Sequence, residues 1–129
     1  MFQVRVEASF AAAHFLKNYH GKCESLHGHN YKVYAHVKGN RLDEGGMLVD
    51  FGILKETLRS VCAKLDHSNL NDLKDSKGND VFFQNPSAER IAKWIFDQIE
   101  ATLQNTEAQL FAVDVFETET SRARYSIDF

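Results

Sequence analysis

The sequence predicts an α+β domain in the order ββααββ, an antiparallel four-stranded sheet with two helices on one face. Three observations lead there. Two long stretches near the start alternate apolar and polar residues with period two, two central stretches repeat apolar residues at helical spacing, and two more alternating stretches close the chain. Strands on either side of a pair of helices are the pattern of helices gathered on one face of an antiparallel sheet.

The first strand places Phe2, Val4, Val6, Ala8, Phe10, Ala12 and His14 on one parity and Gln3, Arg5, Glu7 and Ser9 on the other, so one face is buried. After a polar segment over residues 17–25, alternation returns with His27, His29, Tyr31, Val33, Ala35 and Val37 set against Asn30, Lys32, His36 and Lys38. Residues 40–46 have a turn composition, and Asp50 is placed to cap a helix that begins near Phe51. In that helix Phe51, Leu54, Leu58, Val61, Cys62 and Leu65 form one apolar stripe. A polar loop over residues 66–85 leads to the only proline, Pro86, and Ser87 caps a second helix reaching about Leu103. Its stripe is Ala88, Ile91, Ala92, Ile95, Ile99 and Leu103, with Trp94 beside it. The last two strands run from about 109 to 118 and from 123 to 129. The outward parity of the sheet includes Tyr34, Leu110, Ala112 and Phe116, more apolar than open solvent favours, which points to association with other copies.

At 129 residues, 43% hydrophobic and 26% charged, the chain is expected to form one folded domain. Fifteen basic and 18 acidic side chains give a net charge of −3, which excludes a broad basic footprint for nucleic acid. Nothing approaches the roughly 20 apolar residues of a membrane span. The alternating N-terminus lacks the apolar core of a secretory signal, so the expected compartment is the cytoplasm. There a disulfide between Cys23 and Cys62 is not expected, and each thiol needs its own account.

The histidines supply the chemistry. His27 and His29 are two apart and point to the same strand face, and His14 ends the buried parity of the first strand. If the two strands pair as a hairpin, three imidazoles meet. Three neutral imidazoles suit zinc and leave a coordination position open for water or substrate. Cys23, four residues before His27, has two readings: a fourth ligand that closes a structural site, or a free thiol acting as acid, base or nucleophile. Cys62, in an apolar stripe, reads as packing. An Asp66-His67 pair follows the first helix, where the carboxylate can set the imidazole tautomer. Glu117 ends a buried strand face, and a carboxylate there can grip a ligand with two adjacent N–H donors. His20 and His36 have no assigned role, and His36 falls on the polar parity, as an exposed histidine would.

The segments Phe10-Ala11-Ala12-Ala13-His14, Cys23-Glu24-Ser25-Leu26-His27-Gly28-His29-Asn30-Tyr31, Met47-Leu48-Val49-Asp50-Phe51, Leu65-Asp66-His67, Asn85-Pro86-Ser87-Ala88-Glu89 and Glu117-Thr118 resemble the 6-pyruvoyltetrahydropterin synthase superfamily. The three residues between the cysteine and His-Gly-His resemble its bacterial 6-carboxy-5,6,7,8-tetrahydropterin synthase branch, from queuosine biosynthesis. The resemblance implies the T-fold, with sheets of several copies joined into a barrel, a homohexamer built as a dimer of trimers or a related oligomer, and active sites between subunits. It also implies Zn2+ on His14, His27 and His29, catalytic Cys23, Asp66, His67 and Glu117, and a pterin triphosphate held by Glu117 and Thr118. The implied reaction converts 7,8-dihydroneopterin triphosphate into 6-carboxy-5,6,7,8-tetrahydropterin, acetaldehyde and triphosphate. The nearby alternative is triphosphate elimination without carbon–carbon cleavage. A non-catalytic zinc protein is the other.

Overall fold

The structure is a computed structural model that describes residues 1–18, 25–103 and 108–127. Strands β1 (Phe2–His14) and β2 (His27–Gly39) come first, followed by helix α1 (Phe51–Ala63). A two-residue strand β3 (Ser68–Asn69) and a 3-10 turn (Leu70–Asp72) precede helix α2 (Ala88–Thr102), and β4 (Gln109–Thr118) and β5 (Ser121–Ser126) close the fold. The sheet runs β3-β1-β2-β4-β5. Its four long strands are antiparallel neighbours, as expected. The fifth, β3, was not expected; it lies parallel to β1 at Ala12 and Ala13 and makes the sheet mixed.

Local chemistry explains both helix starts. The Asp50 carboxylate accepts from the Gly52 and Ile53 amides, and the Ser87 hydroxyl accepts from the Arg90 amide. Each cap is worth about 1 kcal/mol. Leu54, Leu58, Val61 and Cys62 of α1 and Ile91, Ile95, Phe96 and Ile99 of α2 meet Phe10, Tyr31, Val33 and Val115 of the sheet in one core. Phe51, expected in the first stripe, is 51% exposed; the packed layer begins one turn later at Leu54. Cys62 is buried, and burial pushes its thiol pKa up to about 12, as an inert packing residue requires. Among the described residues, no helix is long and apolar enough to cross a membrane.

Two bulges correct the strand parities. Between His36 and Val37 the partner in β4 jumps from Ala112 to Leu110, so Phe111 is an extra residue. One inserted residue reverses the alternation beyond it. Leu110, expected on the outer face, is therefore buried in the core, while Phe111 meets His36 and Lys38. On the other edge of β4, Phe116 pairs with Arg122 and Thr118 with Ser121, which leaves Glu117 as the extra residue of a second bulge. The last strand also starts earlier than expected, at Ser121 rather than 123, and ends at Ser126. A tight turn at Glu119 and Thr120, held by the Thr120 amide donating to Thr118 Oγ1, lets the polar pair Ser121-Arg122 enter the sheet.

The outer face is less apolar than expected. His36, expected to be exposed, has a side chain only 14% exposed and lies 2.6 Å from Asp114 Oδ2 through Nε2. Arg124 grips the same carboxylate with Nε at 2.7 Å and Nη2 at 2.9 Å. Burial alone would raise the Asp114 pKa, but the bonds from Arg124 and His36 outweigh it and hold it below the usual carboxylate range.

Candidate metal centre and active site

The β1–β2 hairpin places His14 opposite His27, and Ala12 opposite His29, so the three imidazoles share the core-facing side at one end of the sheet. One ligand atom from each lies within 4.8 Å of the other two. The ring centroids are 4.6 Å apart for His14 and His27, 4.9 Å for His27 and His29, and 5.3 Å for His14 and His29.

Two of the rings are oriented from behind. His14 Nδ1 lies 2.8 Å from the Pro86 carbonyl and His27 Nδ1 lies 2.7 Å from the Ser25 carbonyl. A carbonyl can only accept, so both Nδ1 atoms carry hydrogen, which leaves Nε2 as the atom that each ring, when neutral, offers a metal. The buried Nε2 atoms of His14 and His29 have no hydrogen-bond partner among the described residues. His29 is held below the ordinary histidine pKa by burial and by the neighbouring His14 and His27, although Glu117 pulls the other way. Neutral imidazoles with unspent lone pairs are the form that binds a divalent metal. The donor set fits zinc.

Glu117 stands beside them because it continues the inward parity of Val113 and Val115 at the end of β4, where β5 skips it in the bulge. Its carboxylate oxygens lie 3.3 Å from His29 Nε2 and 3.8 Å from His14 Nε2, and the side chain is 25% exposed. Tyr31, opposite the same end of β4, packs its ring against Phe10, His14 and His29. The Tyr31 hydroxyl is buried without a partner among the described residues, and burial together with the Glu117 charge drives its pKa upward. Sequence reasoning missed this hydroxyl, the Pro86 and Ser25 carbonyls, and the bulge at Glu117, although parity alone gave that side chain its inward direction. Thr118, expected beside Glu117 at the substrate, accepts from the turn amide of Thr120.

Asp66 and His67 form the expected pair, with Asp66 Oδ2 2.8 Å from His67 Nδ1. Asp66 also accepts from the Ala11 amide, and the two bonds hold its pKa below the usual range. The pair is not part of the histidine cluster. It docks on the β3 side of β1 at Ala11, three residues or about 10 Å back from His14. His67 has a left-handed backbone at φ 55° and a side chain 84% exposed. A bulky residue held there is strained, as residues at functional positions often are. Cys23 and His20 lie outside the described residues.

Comparison with known proteins places these features in a family. Residues 3–128 match the family described as 6-pyruvoyl tetrahydropterin synthase. A Synechocystis protein named 6-carboxy-5,6,7,8-tetrahydropterin synthase is 38% identical, with 97% of this chain and 93% of the relative aligned. A Bacillus subtilis protein of the same name is 36% identical over 92% of this chain and 80% of its own. The solved structure of Caenorhabditis elegans 6-pyruvoyl tetrahydropterin synthase superposes with a TM-score of 0.81 at 26% identity, covering 98% of this chain and 96% of that one. The chain belongs to the 6-pyruvoyl tetrahydropterin synthase family and has its T-fold.

Proposed function

We propose that this chain, as a single T-fold domain, is a zinc-dependent lyase that converts 7,8-dihydroneopterin triphosphate into 6-carboxy-5,6,7,8-tetrahydropterin with release of acetaldehyde and triphosphate, in the cytoplasmic synthesis of queuosine. The observation that carries the proposal is the convergence of three imidazoles, two with buried Nε2 atoms unpartnered among the described residues, beside the Glu117 carboxylate. The names of the bacterial relatives support the product.

His14, His27 and His29 would hold the metal. Bound there, zinc would lower the pKa of a substrate hydroxyl and stabilise charge that develops on its oxygen. Glu117 accepts two N–H groups from the pyrimidine edge and so fixes the ring while its side chain meets the histidines. Cys23 and His67 move protons. With Asp66 accepting from His67 Nδ1–H, His67 Nε2 is the atom free to take a proton.

His67 is too exposed and too far along β1 to serve the histidines of its own chain. Self-association into the T-fold barrel, as a homohexamer or related oligomer, would let it serve a neighbour's. Mixed oligomers of Cys23→Ala and His67→Ala chains then recover activity that neither variant has alone; no recovery would refute shared sites.

Product analysis tests the reaction. Zinc-loaded protein incubated with dihydroneopterin triphosphate is expected to release acetaldehyde; a pyruvoyl product without it would favour 6-pyruvoyltetrahydropterin synthase activity. In a structural zinc protein closed by Cys23, Cys23→Ala would lose metal and fold. On the catalytic reading that variant keeps both and loses turnover.

A further inference from the structure

Beyond His14 the first strand has no further strand partner among the described residues. Its pairing with β2 ends at His14 and His27, and β3 pairs only with Ala12 and Ala13. The next backbone groups still need hydrogen bonds. Two asparagine side chains supply them. Asn71 accepts from the Phe15 amide at 2.9 Å and donates to the Phe15 carbonyl at 3.1 Å. Asn85 does the same at Lys17, with 2.7 Å to the amide and 3.0 Å to the carbonyl.

A carboxamide is the only short side chain that presents an acceptor and a donor in one plane, as a neighbouring strand would. Aspartate lacks the donor. The consequence reaches the histidines because Asn85 adjoins Pro86, whose carbonyl orients His14. The chain from His14 to Lys17, the Asn85 carboxamide, and the Pro86 carbonyl back to His14 Nδ1 form one closed ring of covalent and hydrogen bonds. Both flanks are held. Gln84 sits in the left-handed region at φ 68° with Arg90 bonded to its side chain, and Asn18 follows Lys17 at φ 62°. Asparagine tolerates that conformation locally; glutamine adopts it under strain, which fits a segment fixed by its surroundings.

We infer that Asn71 and Asn85 are positioning residues for the metal centre, clamping the chain that leaves His14 and so fixing the direction of its imidazole. This rests on the reading of His14, His27 and His29 as a zinc site. Partners that orient ligands from behind influence metal affinity strongly.

The test is zinc affinity by chelator competition, with the cobalt(II) visible spectrum as a report of site geometry and thermal unfolding of the metal-free protein as a stability control. Asn85→Asp and Asn71→Asp keep shape but set a carboxylate oxygen against a carbonyl. Roughly 10- to 100-fold weaker zinc binding and an altered cobalt spectrum are expected. Asp50→Ala, which removes only the α1 cap, should lower the unfolding temperature and leave affinity unchanged. Should Asn85→Asp fail to fold, Asn85→Ala gives the same readout, because water can replace the amide there. Unchanged zinc affinity in the clamp variants, or an equal loss in Asp50→Ala, would overturn the inference. If the wild-type protein binds no zinc, or His27→Ala binds it as well as wild type, the fault lies instead in the reading of the triad.

Discussion

On the outer face of the sheet, one histidine, one aspartate and one arginine satisfy each other; on the inner face, three histidines and a glutamate do not. Asp114 takes two bonds from Arg124 and one from His36, so each oxygen has a donor. At the histidine cluster, Nε2 of His14 and of His29 are buried and unmatched among the described residues. Leaving such an atom unpaired costs about 1–3 kcal/mol. A completed network accounts for itself as structure, whereas a convergent and incomplete one calls for a ligand. Without that distinction, His36 with its short carboxylate contact would look the more catalytic of the two.

The largest effect should come from breaking the incomplete site. A four-ligand zinc site binds with about 10–16 kcal/mol, or about 2.5–4 kcal/mol per ligand, so His27→Ala should weaken zinc on the order of 100-fold. Zinc at 100 times its dissociation constant stabilises the folded state by about 2.7 kcal/mol. Calorimetry should therefore show zinc raising the unfolding temperature of wild type but not of His27→Ala. Asp114→Ala should show the converse pattern. It strands a histidine and an arginine, and a loss of about 2–3 kcal/mol is expected in urea unfolding with the zinc response intact. That is below the roughly 3–5 kcal/mol for breaking a fully buried pair, because Arg124 is 37% exposed and can rehydrate. Loss of the zinc response in Asp114→Ala would mean that the two faces are coupled.

The inner site was legible in the sequence and the outer one was not, for a physical reason. Strand alternation is a short-range signal: His27 and His29 two apart, and His14 on the buried parity of β1, put three imidazoles together as soon as the strands pair. The partner of His36 lies 78 residues away, and pairing across that distance leaves no local pattern. Bulges hide in the same way. One added residue, Phe111, changes no composition, yet it moves Leu110 into the core. Strand β3 is too short to alternate. The helices were legible because Asp50 and Ser87 cap them locally, although Phe51 shows that a stripe does not say where the packed layer begins.

A smaller effect probes the unmatched groups at a neighbour of the histidines. Tyr31→Phe deletes the buried, unpartnered hydroxyl and keeps the ring that stacks on Phe10 at 4.7 Å. If that hydroxyl is a true orphan, its loss should raise the stability of metal-free protein by about 1 kcal/mol. A decrease in stability would mean that the hydroxyl has a partner in solution.

The smallest effect is a pH dependence on the completed side. Burial holds the His36 pKa below that of a free histidine, outweighing the opposite pull of Asp114. Between that lowered value and the unfolded value of about 6.5, the unfolded chain binds more protons than the folded one, so stability rises with pH. The contribution is complete above about pH 6.5 and is lost as pH falls toward the folded pKa. Asp114, also lowered, adds a second loss in the same direction, complete above about pH 3.9 and lost below it as pH falls through its own folded pKa. His36→Gln keeps a donor for the carboxylate but does not titrate. The difference between wild-type and His36→Gln unfolding temperatures, followed downward from pH 7.5, should therefore change across the upper window and then level off, with wild type losing more. A constant difference would show that His36 titrates alike in the folded and unfolded chains, and that the outer network is not as dry as its bonds suggest.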